Sequence, residues 1–157
     1  RLHPAALIKN YKTSDLADLA VPPSISLSCR IPGFATTAGG DLMLFNVPAV
    51  DYSAADAGRS TREYGLFWFH AARARVAGSI ELPKGFAVYG GPGNVRLKTG
   101  AVAYSARFNA KANRIVFEDT YDIRTLCAPT SAYADYKRVQ EARANLARRR
   151  VIVEKRP

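Results

Sequence analysis

The sequence predicts a mainly β protein: an antiparallel β-sandwich with one C-terminal amphipathic α-helix followed by a final strand. Three observations carry that expectation. Apolar and polar residues alternate in runs such as "SISLSCR" and "ARVAGSIELP", which sends side chains to two faces of a strand. Strand-like runs arrive about every eight to twelve residues, with turn signals such as "GGPGN" and "NAKAN" between them. Near the end, "YADYKRVQEARANLARRR" takes up a helical period before "VIVEK" returns to β-branched residues.

Taken in order, residues 1–23 form an extended lead-in, because Pro4, Pro22 and Pro23 work against a long regular element. His3 belongs to that lead-in. In "SISLSCR", Ile25, Leu27 and Cys29 point one way and Ser26, Ser28 and Arg30 the other, the pattern of a half-buried strand. "DLMLFNVPAV" gives a second strand. "TREYGLFWFHA" gives a strongly apolar one that carries Trp68. In "ARVAGSIELP", Val76, Ile80 and Leu82 face inward and Pro83 ends the run. "GFAVYGG", "NVRLKTG", "AVAYSARFNA" and "RIVFEDTYDIRT" follow as strands. In the last of these, Ile115, Phe117, Tyr121 and Ile123 share a face opposite Val116, Glu118, Thr120, Asp122 and Arg124. Residues 24–157 are therefore expected to make a single sandwich domain.

The helix is expected at about residues 131–149. Pro129, Thr130 and Ser131 supply a start, Asp135 complements the N-terminal end of the helix dipole, and Arg148–Arg150 suit its C-terminus. Ala132, Tyr136, Val139, Ala142 and Leu146 cluster on one side, with Lys137, Glu141, Asn145 and Arg148 largely opposite and Arg138 and Arg149 at the edges. Arg143 falls near the apolar stripe, where its stem is expected to lie along the surface with its head in water.

The chain has 157 residues, enough for one domain to bury a core without metals or staples. It contains no apolar run of about eighteen residues, the length a membrane-spanning helix needs. Opening at Arg1, it shows no signal-peptide pattern and is expected to be a processed chain or a piece of a longer one. The formal net charge of +10 permits anionic partners, and its cations crowd the end of the chain. Lys137, Arg138, Arg148, Arg149 and Arg150 are the candidate contacts for an acidic polymer, glycan or nucleic acid.

No catalytic motif of familiar type is present: no nucleophile elbow, paired-histidine zinc motif or phosphate-binding loop. No cofactor is implied. Cys127 precedes the helix, where a thiolate would be favoured, and His70 ends an apolar strand; that pair is the one route to a cysteine enzyme. Glu118, Asp119 and Asp122 could furnish a calcium site, although acids along a strand are more often simply solvated. Tyr64, Phe67, Trp68 and Phe69 could stack on bases. Crowded into one apolar run, they fit a core strand better, and the basic–aromatic interleaving of an RNA-binding sheet is missing. Nucleic acid is disfavoured. The two cysteines, Cys29 and Cys127, could pair in an exported protein or stay as thiols in a cytosolic one.

From about residue 20 the order of segments resembles the C-terminal β-sandwich domain of bacterial transglutaminase-like exported proteins. The matching pieces are "RIPGFATTAGGDLMLFNVP", "REYGLFWF", "SIELPKGF" and "GAVAYSARFNAKANRIVFEDTYDIRT", completed by "YADYKRVQEARANLARRRVIVEK". In that family the catalytic residues belong to an upstream domain, so none is carried over to this chain. The resemblance implies a periplasmic or cell-surface location and favours a Cys29–Cys127 bond. It also implies a non-catalytic accessory role: contact with another domain or subunit of the same protein. Homo-oligomers are expected, in a sharper form through strand addition by residues 1–23 to an open sheet edge.

Overall fold

The computed structural model describes residues 4–18, 20, 22–111 and 113–156; His3 lies outside them. Two compact units divide the chain, residues 1–36 and 37–157.

The first unit is a two-stranded antiparallel ribbon of β1 (Leu7–Thr13) and β2 (Ile25–Arg30). The lead-in thus contains a strand, and β2 pairs with it in this unit. A bulge between Ile8 and Asn10 shifts the register, so Ile8 pairs with Cys29 and Tyr11 with Leu27. Ser14 and Ser24 close the far end: the Ser14 amide donates to the Ser24 carbonyl, and the Ser24 amide to Ser14 Oγ. Every residue of both strands is exposed, so the half-buried pattern expected of "SISLSCR" is not realised.

The second unit holds the remaining elements: β3 (Thr36–Thr37) at the boundary, β4 (Leu42–Asn46), β5 (Leu66–Phe67), β6 (Ala72–Glu81), β7 (Phe86–Gly90), β8 (Val95–Lys98), β9 (Val102–Lys111), β10 (Arg114–Ile123), β11 (Cys127–Ala128), α1 (Tyr133–Arg148) and β12 (Arg150–Lys155). One four-stranded antiparallel sheet runs β6-β10-β9-β8 and a second runs β3-β4-β12-β7; β5 and β11 make a short third. The fold is mainly β, with one C-terminal helix followed by a final strand.

The inward side of the first sheet is apolar by alternation: Val102, Tyr104 and Ala106 of β9, and Ile115, Phe117 and Tyr121 of β10 are buried. Gly78 of β6 pairs with Phe117, and a Cβ there would lie 2.8 Å from the Phe117 ring, so glycine makes room for the aromatic. Phe45, Val151 and Val153 supply the second sheet's share of the core.

Helix α1 follows a 3₁₀ turn, Thr130–Ala132, and lies against β9. Its start differs from expectation: no hydroxyl caps it, and the turn is closed by the Ala132 amide donating to the Pro129 carbonyl. Tyr136, Val139 and Leu146 are buried as the helical period requires, joined by Tyr133, Gln140 and Ala144.

Candidate functional site

The densest chemistry in the second unit is an interior cluster that joins sheet, helix and loop. Asp119 is only 2% exposed, on the inward side of β10 between Phe117 and Tyr121. Its Oδ2 accepts a 2.6 Å hydrogen bond from the Tyr104 hydroxyl, and its Oδ1 a 3.0 Å bond from Tyr52. Register explains the first contact, since Tyr104 and Tyr121 pair across β9 and β10 two residues from Asp119. Arg143 enters from the helix. Its guanidinium carbon sits 3.6 Å from the Tyr121 ring centroid and 4.1 Å from that of Tyr52. Arg143 donates to Gln140 Oε1, and Gln140 Nε2 donates to the Tyr121 hydroxyl.

Arg143 is half-buried, so its head only partly leaves water. Tyrosine faces and the Gln140 carbonyl replace part of the solvent around it, while its buried Nε has no hydrogen-bond partner. Burial pushes the Tyr104, Tyr121 and Tyr52 hydroxyls above their ordinary pKa. For Tyr104 and Tyr52 the hydrogen bond and charge of Asp119 add to that shift. Burial also raises Tyr136, to about 12. The space beside Asp119 is a void of about 10 Å³, too small for a substrate. Chemically the cluster is a hydrogen-bonded network, satisfied except at Arg143 Nε, that pins α1 and the loop bearing Tyr52 to β9 and β10.

The residues singled out for calcium do not converge. Glu118 and Asp122 stand on the opposite side of β10 from Asp119, bonded to Arg75 and Arg73 at 2.9 and 2.6 Å. Among the described residues no group of His, Cys, Asp and Glu has a metal-holding arrangement. Cys29 and Cys127 are free, exposed thiols, one in each unit. Cys127 pairs with Phe67 through the backbone of β11 and β5, and among the described residues no hydrogen bond joins it to His70.

The aromatic run is not a core strand. Phe67 is 69% exposed, Phe69 91% and Tyr64 80%; Leu66 is buried, and half-buried Trp68 packs edge-on against Tyr136. The strand is two residues long because it pairs only with the equally short β11. Gly65 admits that approach, since a Cβ there would meet the Ala128 carbonyl oxygen at 2.6 Å.

The five candidate polyanion contacts are divided among helix, cap and strand. Lys137 donates to the Arg59 carbonyl, Arg138 pairs with Asp135 at 3.1 Å, and Arg149 donates to the Pro92 carbonyl. Arg148 ends α1 and Arg150 begins β12, both exposed.

The ribbon of the first unit presents a different kind of surface. Its register gathers Ile8, Tyr11, Ile25 and Leu27, with Thr13 and Cys29, on one side; Asn10, Lys12, Ser26, Ser28 and Arg30 lie on the other, together with Leu7. The apolar side is open, with Tyr11 at 70% and Ile25 at 62% exposure.

No family model matches the chain, and no curated protein does. Among solved structures, its fold is similar to that of a protein from Parabacteroides distasonis ATCC 8503 described as "a putative protease", at 13% identity and a TM-score of 0.59 over 74% of this chain. The chain spans 24% of that protein's length. At this identity the likeness shows the fold alone.

Proposed function

We propose that this chain is a non-catalytic accessory and assembly module of a transglutaminase-like exported protein, periplasmic or at the cell surface, that makes contacts with another domain or subunit. The observation that carries the reading is the ribbon β1–β2, amphipathic by register yet open to solvent on its apolar side. An isolated two-stranded ribbon is marginal in water, and burying a large apolar side chain contributes about 1.5–3 kcal/mol. Ile8, Tyr11, Ile25 and Leu27 thus form a surface that a partner would stabilise. The strand-addition form of the expectation keeps its backbone edges, and the structure adds this side-chain surface to them.

The alternative, an acidic-polymer or glycan module using the basic helix, has less support, because Lys137, Arg138 and Arg149 already have protein partners. Sedimentation tests the assembly reading. The chain is expected to self-associate, whereas Ile8→Ser/Tyr11→Ser/Leu27→Ser and a chain lacking residues 1–20 should run as monomers. Unchanged mass and melting temperature in both would refute it.

A further inference from the structure

The first sheet has a second side, and the register fixes what stands on it. Facing away from the core are Arg73 and Arg75 of β6, Arg114 of β10, Arg107 and Lys111 of β9, and Arg96 and Lys98 of β8, with Arg124 one residue past β10. The acids on that side are Glu81, Glu118 and Asp122. Eight cations against three anions leave five positive charges, half of the chain's formal +10.

The neutralisation is local. Arg73 and Arg75 hold Asp122 and Glu118, while Arg96, Lys98, Arg107 and Lys111 make no salt bridge among the described residues. Beneath them the floor is small: Ala103, Ser105 and Thr120 are half-buried. Together with Arg96, Lys98 and Arg124 these residues outline a shallow recess of about 300 Å³. A neighbouring recess of about 750 Å³ runs past Asn94, Arg96, Arg107 and Asn109.

We propose that this outer sheet face docks an acidic face of a partner protein, with Asp and Glu side chains of the partner reaching Arg96, Lys98, Arg107 and Arg124. Charge complementarity selects the chemistry. Guanidinium forks match carboxylates in two-point geometry, and the small floor leaves space for short acidic side chains. Single-stranded nucleic acid fits less well, because it needs rings to stack on. The exposed large apolar residue on this face is Val116, which offers none. This proposal does not depend on what covers the ribbon.

Two charge-matched triple variants of the intact chain separate a local surface from net charge. Arg96→Glu/Lys98→Glu/Arg107→Glu alters the sheet face; Arg138→Glu/Arg148→Glu/Arg150→Glu alters the helix and final strand by the same amount. The probes are poly-L-glutamate and a single-stranded DNA of equal charge, with Kd measured at low and moderate salt. Poly-L-glutamate binding should weaken by about tenfold or more in the sheet variant and by less than about threefold in the other, and should fall with salt. Arg96→Gln alone, which keeps an exposed polar side chain and guards against misfolding of the triple, should weaken it by about threefold. Equal losses in the two triples, no binding of poly-L-glutamate at low salt, or tighter binding of the DNA would each overturn the proposal.

Discussion

Glu118 and Asp119 are neighbours in the chain and in opposite environments. Glu118 lies on the outer side of β10, bonded to Arg75, with both partners more than a third exposed. Asp119 lies on the inner side, 2% exposed, holding two tyrosine hydroxyls. The same carboxyl chemistry serves different ends because a strand turns successive side chains to opposite sides. Outside, water has already satisfied the acid, and an ion pair adds little. Inside, each hydrogen bond replaces one that water can no longer make, so removing a partner leaves the rest stranded.

The widest test of that contrast is Asp119→Ala. It leaves the Tyr52 and Tyr104 hydroxyls without their acceptor and takes a negative charge out of the interior that also holds Arg143, so a loss of about 3–5 kcal/mol is expected in denaturant unfolding. Adding Arg143→Leu should recover part of that loss, because the uncompensated cation goes with it. Additive losses would mean that the two residues act separately.

Alkaline pH probes the same interior without mutation. Tyr104, Tyr121, Tyr52 and Tyr136 all have folded pKa values raised above the ordinary 10.0, with burial as the largest cause. A raised folded pKa gives stability that is complete below the unfolded value and lost as pH rises through the folded one. Stability should therefore hold up to about pH 10 and fall toward pH 12, where Tyr136 titrates in the fold. For that residue alone the shift corresponds to about 3 kcal/mol. In a chain whose exposed Tyr11, Tyr64 and Tyr89 are replaced by Phe, unfolding and tyrosinate absorbance should rise together; absorbance that rises near pH 10 while that chain is still folded would show that the remaining rings are open to solvent.

How far the sequence discloses these environments depends on whether local period and tertiary burial agree. On β9, β10 and α1 they agree, so the inward positions of Ile115, Phe117, Tyr136, Val139 and Leu146 follow from spacing alone. Asp119 falls on the apolar parity of "IVFEDTYDI", between Phe117 and Tyr121, but an acid there reads as one of three solvated carboxyls. The signal was the parity itself, together with Tyr104 on the pairing strand. Arg143 is hidden for a similar reason: only the tyrosines, brought together by tertiary contact, make its partial burial favourable. In β1 the bulge between Ile8 and Asn10 breaks the alternation, which conceals a strand. Tyr64, Phe67 and Phe69 err the other way, because apolar character sets a preference for burial and only a facing element can satisfy it.

The outer face offers the smallest expected effect and sharpens the contrast from its weak end. Arg73 donates through Nε and a terminal nitrogen to both oxygens of Asp122, a geometry as good as any inside. If geometry alone decided strength, removing this pair would rival the loss of Asp119. The arginine side chain is 71% exposed, however, so water competes for both partners. A double-mutant cycle of Arg73→Ala and Asp122→Ala should give little resolvable coupling, and none at about 1 M salt, where screening acts within about 3 Å. The pH dependence has the opposite sign to that of the tyrosines. The Arg73 hydrogen bond holds Asp122 below its ordinary 3.8, so any contribution is present above that value and lost as pH falls through the lower folded pKa. A salt-resistant coupling comparable to the Asp119 effect would show that solvent exposure is not what separates the two sides of β10.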